Sequence, residues 1–395
     1  MMGSCQTIEL AKRVSGSEPS VTLAIAAKAQ ELQKKGIDVI SLSAGEPDFD
    51  TPSYIKQAAI DALNKGITKY TPATGTLAIR EAVVRKLQRD QHLQYTPDQI
   101  IVSGGAKHSI FNIIFALVNP GEEVLIPAPF WLSYPSMVNY VGGVSVIIPT
   151  DETTEFKLTP DVLRRSITPK TKILILNSPS NPTGAVYTKE ELEALARVLK
   201  EHPRVVVLSD EIYEKLIFDG GKHYSIASLD AEIAQRTIIV NGHSKAYAMT
   251  GWRLGYAACP KEVAKAIGAF QSHSTSNPTS FAQAGGTVAL DQGDADAAKM
   301  CAVYEKRRDL FYKRIAAVPG LKPFRPQGAF YLFVNIRESG LSSADLSQKL
   351  LEEAHVAVVP GEPFGSGDHI RMSFATSEAK LEEAANRLDK WFKKL

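Results

Sequence analysis

Short apolar runs of strand length recur through the middle of the chain. They are Ile100–Val102, Val124–Ile126, Val144–Ile148, Lys172–Leu176, Val205–Leu208, Thr237–Val240 and Leu254–Ala258. Most of these runs are continuous instead of alternating, which is typical of strands buried on both faces of a parallel sheet. Helical patterns lie between several of them, as in Lys189–Lys200 and Lys261–Ser272. This alternation predicts βαβ units and an α/β fold with a mostly parallel central sheet.

The C-terminal part of the chain has a different pattern. Helical stretches at Ala295–Val318 and Glu378–Leu395 enclose three strand candidates, namely Ala329–Ile336, Val356–Val359 and His369–Phe374. This order is typical of a small α+β domain. The N-terminal segment is too short to form a domain by itself, so we expect it to pack on this part. We therefore predict a large domain at residues 49–289 and a small domain built from both termini, residues 1–48 and 290–395.

The charge balance narrows the classes of partner. There are 45 Lys and Arg against 43 Asp and Glu, a formal charge of +2. This near-cancellation argues against a nucleic-acid-binding domain and against a protein held on membranes by basic patches. Apolar residues make up 44% of the chain and charged residues 22%, which is ordinary for a globular protein.

The cysteines and the apolar runs indicate the cellular compartment in which the protein is expected. Cys5, Cys259 and Cys301 are odd in number and far apart, which suits a reducing environment. No run approaches the roughly 20 apolar residues of a membrane helix. The apolar stretch Val21–Ala27 leads straight into charged residues and indicates an amphipathic helix that stops at Gly36. We expect a soluble cytoplasmic protein.

Polar residues follow five of the predicted strands. Because ligands of open α/β sheets bind at the carboxyl ends of the strands, these segments are expected to converge on one edge. They are Ser103–Lys107, Trp131–Tyr134, Asn177–Gly184, Ser209–Tyr213 and Asn241–Lys245, the last continuing to Met249–Arg253. The first of them opens a helix, whose free N–H groups are suited to an anion.

Each residue of interest also has an ordinary structural explanation. Gly104 and Gly105 could form a simple turn, and Asp210 could cap a helix. Lys245 could be a solvated surface lysine, and Arg253 could pair with a structural carboxylate. These explanations weaken when an anion site, an acid, a tyrosine, a lysine and an arginine share one predicted face.

Pyridoxal 5′-phosphate (PLP) is a cofactor that needs this set of groups. A lysine amine forms a Schiff base with its aldehyde, an acid faces its pyridine nitrogen, and an anion site holds its phosphate. Lys245 and Asp210 would take the first two roles, and Asp210 would keep the ring nitrogen protonated. The remaining candidates are Gly105, Ala106, Ser244 and Arg253 for the phosphate, Tyr213 and Asn181 for the phenolic oxygen, and Trp131 for stacking on the ring.

With these residues in this order, the chain clearly resembles the class I, fold-type I PLP-dependent aminotransferases. The resemblance covers nearly the whole chain. It is carried by Ala44–Phe49, Lys69-Tyr70, Asn181–Gly184, Asp210–Tyr213, Ser244–Arg253, Gly328–Tyr331 and Arg371–Ser373. An isolated Asn-Pro-x-Gly would be weak evidence, but these motifs in this order are highly specific.

The resemblance implies a role for each matching residue. Lys245 would form the Schiff base and then move the substrate proton, with Asp210 holding the pyridinium. Tyr213 and Asn181 would hold the phenolic oxygen. The phosphate would be held by Arg253, Ser244 and the amides of Gly105, Ala106 and Lys107. Tyr70 would reach the phosphate of the neighbouring subunit, which implies a homodimer with a shared active site.

The resemblance also implies how substrates are bound. Arg371 would grip the α-carboxylate in a bidentate pair, helped by Gly45, Trp131 and Asn181. His243 departs from the family pattern, because that position of the lysine motif is usually apolar. Packing or a local hydrogen bond is its expected role.

The closest resemblance is to the bacterial and plant-plastid subgroup of aspartate aminotransferases, some of which also accept prephenate. Lys107 matches the lysine that this subgroup uses for the distal carboxylate, and Glu18–Thr22 matches its N-terminal contacts through Ser20 and Thr22. Lys107 could instead be a solvated lysine, although its place in a first helical turn opposes the helix dipole. We predict ping-pong transfer from L-aspartate to 2-oxoglutarate, which gives oxaloacetate and L-glutamate.

Two alternatives remain open, and a third is set aside. The first stays with the cofactor and is a prephenate or aromatic aminotransferase, or a PLP-dependent β-lyase. The second is a non-enzymatic ligand sensor of this fold joined to a DNA-binding module, for which neither the N-terminal segment nor the charge balance gives support. The third, a serine hydrolase or metalloenzyme, finds no matching motif, so no metal is expected.

Overall fold

The computed structural model describes residues 8–15 and 19–395, without the side chain of Ser15. Two residues invoked above, Cys5 and Glu18, lie outside the described residues. In the described chain no helix is both long enough and apolar enough to cross a bilayer.

The strands of the described residues fall into three sheets. They are β1 (Ile40–Ser41), β2 (Ile100–Ser103), β3 (Glu123–Ala128), β4 (Val144–Pro149), β5 (Thr171–Asn177), β6 (Val206–Asp210), β7 (Thr237–Gly242), β8 (Gly255–Ala258), β9 (Lys322–Pro323), β10 (Tyr331–Asn335), β11 (Val356–Ala357), β12 (Val359–Pro360) and β13 (His369–Ser373). The central sheet has seven strands in the order β2-β8-β7-β6-β5-β3-β4. Only β8 runs antiparallel to its neighbours in it, so the predicted mostly parallel α/β sheet is confirmed.

The helices surround these sheets. They are α1 (Lys12–Ser15), α2 (Val21–Lys34), α3 (Ser53–Asn64), α4 (Leu77–Gln91), α5 (Ala106–Leu117), α6 (Ser133–Tyr140), α7 (Pro160–Ser166), α8 (Lys189–Lys200), α9 (Ala231–Ala234), α10 (Lys261–Ser274), α11 (Ser280–Gln292), α12 (Asp294–Ala316), α13 (Ser343–Glu353) and α14 (Glu378–Phe392). The helix predicted over Lys189–Lys200 is observed with these bounds, and it begins at Lys189 because Thr188 and Glu191 form a capping box there.

Burial explains why the central strands appear as continuous apolar runs. Every residue of β2, β7 and β8 is buried, since helices cover both faces of the sheet. The edge strand β4 differs, because Val144 and Ile147 keep 46% and 41% of their surface exposed. Its apolar run therefore marks an open edge and not a buried strand.

The terminal parts of the chain meet in the smaller sheets. A four-stranded sheet has the order β12-β13-β10-β9, and β1 from the N-terminal segment pairs in parallel with β11. The single strand predicted at Val356–Val359 is wrong in detail, because it divides into β11, which joins β1, and β12, which joins β13. The β1–β11 pair supports a small domain built from both termini, while its exact boundaries stay a prediction.

Candidate active site

The carboxyl edge of the central sheet opens on a cavity of about 600 Å³. Thirteen of the residues predicted for the site line it: Ser20, Thr22, Gly45, Ala106, Lys107, Trp131, Asn181, Asp210, Tyr213, Ser244, Lys245, Arg253 and Arg371. The segments at the carboxyl ends of β2, β3, β5, β6 and β7 supply about half of this wall, residues 20–46 supply most of the rest, and β13 supplies Arg371. The predicted convergence at the strand ends therefore occurs.

Lys245 lies three residues after β7, with its amine in the cavity. Its Nζ donates to the carbonyl oxygen of Gly45 at 2.5 Å. The pKa of Lys245 is lowered to about 8, first by burial and then by Arg371 and Arg253, although Glu46 and Asp210 oppose this shift. Burial is therefore a larger cause of the shift than the nearby arginines.

Asp210 ends β6 and is 4% exposed. Its Oδ2 accepts from the hydroxyl of Tyr134 at 2.6 Å, and its Oδ1 accepts from the N–H of Ile212 at 3.2 Å. Burial raises the pKa of Asp210 to about 6, although these two donors favour the ionised form. The carboxylate is thus fixed in orientation and ready to meet a cation.

Arg371 lies in the interior, with only 2% of its surface exposed. Its guanidinium donates to Asn181 Oδ1 and to the carbonyl oxygen of Ser43, both at 3.0 Å, and lies 4.4 Å from the ring centre of Tyr331. The Tyr331 hydroxyl in turn lies 2.8 Å from that of Tyr213. Among the described residues its Nε has no hydrogen-bond partner. A buried guanidinium without a carboxylate partner is suited to an anionic ligand.

A second anion site lies where α5 begins. Gly105 has a φ of 93°, and a Cβ there would collide with the guanidinium of Arg253. Arg253 is held by the carbonyl oxygens of Thr250, at 2.8 Å, and Gly104, at 3.3 Å. The Gly105 N–H, expected to face the anion, donates instead to the Ser103 carbonyl oxygen at 2.7 Å. The first-turn amides of Ala106 and Lys107 are therefore the ones left for an anion.

Lys107 brings another cation to the rim of the cavity. Its Nζ lies 4.9 Å from the ring centre of Trp131, and partial burial and the nearby Arg253 lower its pKa. Ser20 and Thr22, at the start of α2, line the same cavity. In the described part of the chain Thr22 Oγ1 is buried without a hydrogen-bond partner, so it is available to a ligand.

Two predicted residues lie apart from this cavity. Within residues 8–15 and 19–395 the cavity wall includes neither Gly105 nor Tyr70. Gly105 lies next to it, against Arg253. Tyr70 is 90% exposed, so it contacts little of its own chain.

His243 is packed in the interior and lies within hydrogen-bond distance of a backbone carbonyl oxygen, as we expected. The residue is completely buried, and its Nε2 lies 3.1 Å from the carbonyl oxygen of Gly286 in α11. Burial lowers the pKa of His243 to about 4, so the ring is neutral at neutral pH.

Sequence reasoning missed three side chains of the site. Tyr134 and Tyr331 lie in quoted motifs but received no role, although they contact Asp210 and Tyr213. Glu46 also lines the cavity, and its carboxylate accepts from the hydroxyl of Thr250 at 2.9 Å. A polar residue inside a motif of known function was the only available signal.

Comparison with known proteins identifies the family of the chain. Residues 37–388 match the aminotransferase class I and II family. The chain belongs to this family. It is 48% identical to the aspartate aminotransferase of Geobacillus stearothermophilus, covering 97% of this chain and 99% of the relative.

Two further comparisons bear on fold and substrate. The aspartate/prephenate aminotransferase of Nitrosomonas europaea is 41% identical over 96% of this chain and 99% of its own. The structure of the aspartate aminotransferase of Thermus thermophilus with maleate has a TM-score of 0.93 and 45% identity, with 97% of this chain and 100% of that chain covered. The protein is thus a PLP-dependent aminotransferase with the fold-type I architecture.

The residues present fit PLP. The cavity combines a lysine of lowered pKa, a buried acid that has no cationic hydrogen-bond partner among the described residues, and an anion site that a side chain at position 105 would obstruct. These three groups match the aldehyde, the pyridine nitrogen and the phosphate of the cofactor.

Proposed function

We propose that this aminotransferase moves the amino group of L-aspartate to 2-oxoglutarate and produces oxaloacetate and L-glutamate. The observation that carries the proposal is that Lys107 lies in the same cavity as Arg371 and Arg253. Three separate cations suit one phosphate and the two carboxylates of a dicarboxylic substrate. The names of the relatives support the same substrates.

PLP, when bound, supplies an aldehyde that condenses with amines and a cationic ring that withdraws electrons from the substrate α-carbon. Lys245 would hold its aldehyde carbon, and Asp210 its ring nitrogen. Arg253, Ser244 and the amides that begin α5 would hold its phosphate. Tyr213 and Asn181 would hold its phenolic oxygen, and Trp131 would cover the ring.

Lys245 would also act as the general base. An amine whose pKa is about 8 is largely protonated at pH 7 but retains a useful neutral fraction, unlike an ordinary lysine. Once released by the incoming substrate amine, its Nζ would take the proton from the α-carbon. The same Nζ would return that proton to the cofactor carbon when the amino group moves.

The arginine and the lysine would orient the substrate. Arg371 would bind the α-carboxylate, because its guanidinium is buried, held by Asn181 and Ser43, and free of acidic partners among the described residues. Lys107, with Ser20 and Thr22, would bind the distal carboxylate. A substrate with a neutral side chain would leave Lys107 without a counter-charge, which disfavours its binding.

A homodimer is the proposed assembly. Exposed apolar side chains run from α3 to the start of α4 and comprise Ile60, Leu63, Ile67, Tyr70 and Leu77. Such a surface on one chain is suited to a second copy. Tyr70 would then reach the partner's phosphate site.

The described cysteines, Cys259 and Cys301, are free thiols, which supports a reducing compartment.

One experiment tests this function directly. The purified PLP-loaded protein is mixed with single amino acids, and the loss of the cofactor's visible absorbance is followed in each half-reaction. We expect aspartate and glutamate to react far faster than alanine or phenylalanine. Lys245→Ala should lose both the visible absorbance and nearly all turnover. A protein that prefers alanine, or a fully active Lys245→Ala variant, would contradict the proposal.

Prephenate is the second candidate acceptor. The cavity extends beyond the catalytic groups along α2, where Leu23, Ala26 and Gln30 line it. This space suits the ring of a larger substrate that also has a second carboxylate. Comparing kcat/KM for oxaloacetate and prephenate, with glutamate as amino donor, ranks the two. Release of pyruvate and ammonia without an amino acceptor would indicate a β-lyase.

A further inference from the structure

A buried polar cluster lies beside the segment that carries Asp210. Asp210, Ile212 and Tyr213 line the active-site cavity, whereas Glu211 is not part of its wall in the described chain. Glu211 is only 1% exposed and makes its contacts elsewhere. We call Glu211 and the four side chains that donate to it the Glu211 cluster. The four are Gln91, Ser209, His223 and Ser225.

The Glu211 carboxylate is held by donors on both oxygens. Oε1 accepts from Ser209 Oγ at 2.8 Å and from Ser225 Oγ at 2.6 Å. Oε2 accepts from Gln91 Nε2 at 2.9 Å and lies 3.0 Å from His223 Nε2. Burial alone would raise the pKa of Glu211, but His223 and the serine hydroxyls outweigh it and lower the pKa to about 2. The residue is therefore an anion throughout the working range of pH.

These donors come from separate parts of the fold. Gln91 ends α4, Ser209 lies in β6, and His223 and Ser225 lie in the loop before α9. The backbone N–H of Glu211 also donates to the carbonyl oxygen of Val240 in β7 at 2.9 Å. The Glu211 side chain thus ties the residue that follows Asp210 to α4 and to the loop before α9, and its backbone N–H ties the same residue to β7.

A metal ion is not the best interpretation of this cluster. Ligand atoms of Glu211, Glu214 and His223 lie within 4.8 Å of one another. However, Gln91 Nε2 donates to both carboxylates at 2.9 Å, and the Lys86 ammonium already pairs with Glu214. A bound cation would have to displace one donor and approach a buried positive charge.

We propose that Glu211 is a positioning residue for the cofactor acid. Its carboxylate, held by His223, Gln91 and the two serines, fixes the backbone from 209 to 213 so that Asp210 and Tyr213 keep their places in the cavity. This proposal rests on the role proposed above for Asp210.

Charge also couples Glu211 to Asp210. The Glu211 anion is among the causes that raise the pKa of Asp210. Among the described residues, the other charged or titratable groups that face the cluster include Glu214, Lys86, Asp90 and Lys215, which pair with one another. They also include the phenols of Tyr95 and Tyr256, whose pKa values are raised by burial and by nearby carboxylates, Glu211 among them. Removing the Glu211 charge should therefore lower the pKa of Asp210, so a loss of PLP affinity in such a variant has to come from the lost positioning and not from the lost charge.

Glu211→Gln tests the proposal in the full-length chain. The variant replaces the charged hydrogen bonds of the Glu211 carboxylate by weaker neutral ones. We therefore expect PLP, titrated into the cofactor-free protein, to bind about tenfold more weakly and kcat to fall by a similar factor. KM for aspartate should change by less than about twofold, since Arg371 is untouched. Backbone amides 210–214 should also exchange hydrogen faster without any cofactor. Wild-type exchange and PLP affinity in this variant would overturn the proposal.

Paired variants separate positioning from general destabilisation. His223→Gln keeps an N–H donor near the place of Nε2 and should retain most of the PLP affinity, whereas His223→Leu, of similar volume, should lose it. Equal loss in both would contradict the proposal. Leu195→Ala, in a core cluster under α8, is the control, and it should lower Tm without weakening PLP binding.

Asp210→Asn distinguishes a failure of the role proposed for Asp210 from a failure of the positioning role proposed for Glu211. If this variant binds PLP as tightly as the wild type, the role proposed for Asp210 is wrong. If it loses PLP while Glu211→Gln and His223→Leu behave as wild type, only the positioning role is wrong.

Discussion

Replacing Lys107 by methionine removes one positive charge from the cavity and keeps an unbranched side chain against Trp131. A hydrogen bond to a charged partner contributes about 1.5–3 kcal/mol. Because Lys107 lies at the rim, where water screens its charge, we expect the lower half of that range. The expected loss in kcat/KM for aspartate and 2-oxoglutarate is about 10- to 50-fold, since 1.4 kcal/mol corresponds to a factor of ten.

The assay compares substrates of different charge. Half-reactions with aspartate and glutamate should show this loss, while alanine and phenylalanine should change by less than about threefold, because they offer Lys107 no anion. Lys261→Met is a matched control, since Lys261 also lies in the first turn of a helix but pairs with Asp98 on the surface. An equal loss for alanine and aspartate would refute the reasoning, as would an effect of Lys261→Met on aspartate.

Three further predictions concern the cofactor end of the cavity. Folding raises the pKa of the Asp210 carboxyl from 3.8 to about 6, so folding becomes less favourable as the pH increases through that window. Asp210→Asn removes this cost and should stabilise the cofactor-free chain by about 3 kcal/mol above pH 6. The Tm of the variant should therefore exceed that of the wild type at pH 8 but not at pH 3. The rate of PLP incorporation should increase with pH and level off above about 8, the pKa of Lys245, whereas a continued rise to pH 10 would show an unperturbed lysine. Tyr134→Phe should raise the pKa of Asp210 further and weaken PLP binding in a fluorescence titration, with Tyr140→Phe, in the same helix, as the control.

Local patterns predicted most of the secondary structure. The capping box at Thr188 and continuous apolar runs such as Thr237–Val240 are properties of neighbouring residues, so the sequence contains them. Pairing partners are not local. The Val356–Val359 run divides because its two halves join different sheets, and nothing in the run itself indicates that division.

The position of the candidate site was predictable because it follows from the order of the strands. Its residues follow strands, and parallel strands bring their carboxyl ends together whatever the loops contain. Contacts between side chains from distant segments were not predictable. The Tyr134–Asp210 bond joins residues 76 positions apart, and the Tyr213–Tyr331 contact joins residues 118 apart. Both depend on packing that only the folded chain defines.

The charges of the cavity are coupled through Lys245. Arg371 and Arg253 each lower the pKa of this amine, in addition to burial. When anions of the cofactor and substrate offset those arginines, this part of the shift should disappear, so Lys245 should become a stronger base as its substrate binds. Burial, the larger cause, persists and keeps the amine below the pKa of an ordinary lysine. A site that gathers cations for binding thus also ties the basicity of its proton acceptor to the presence of the correctly charged ligand.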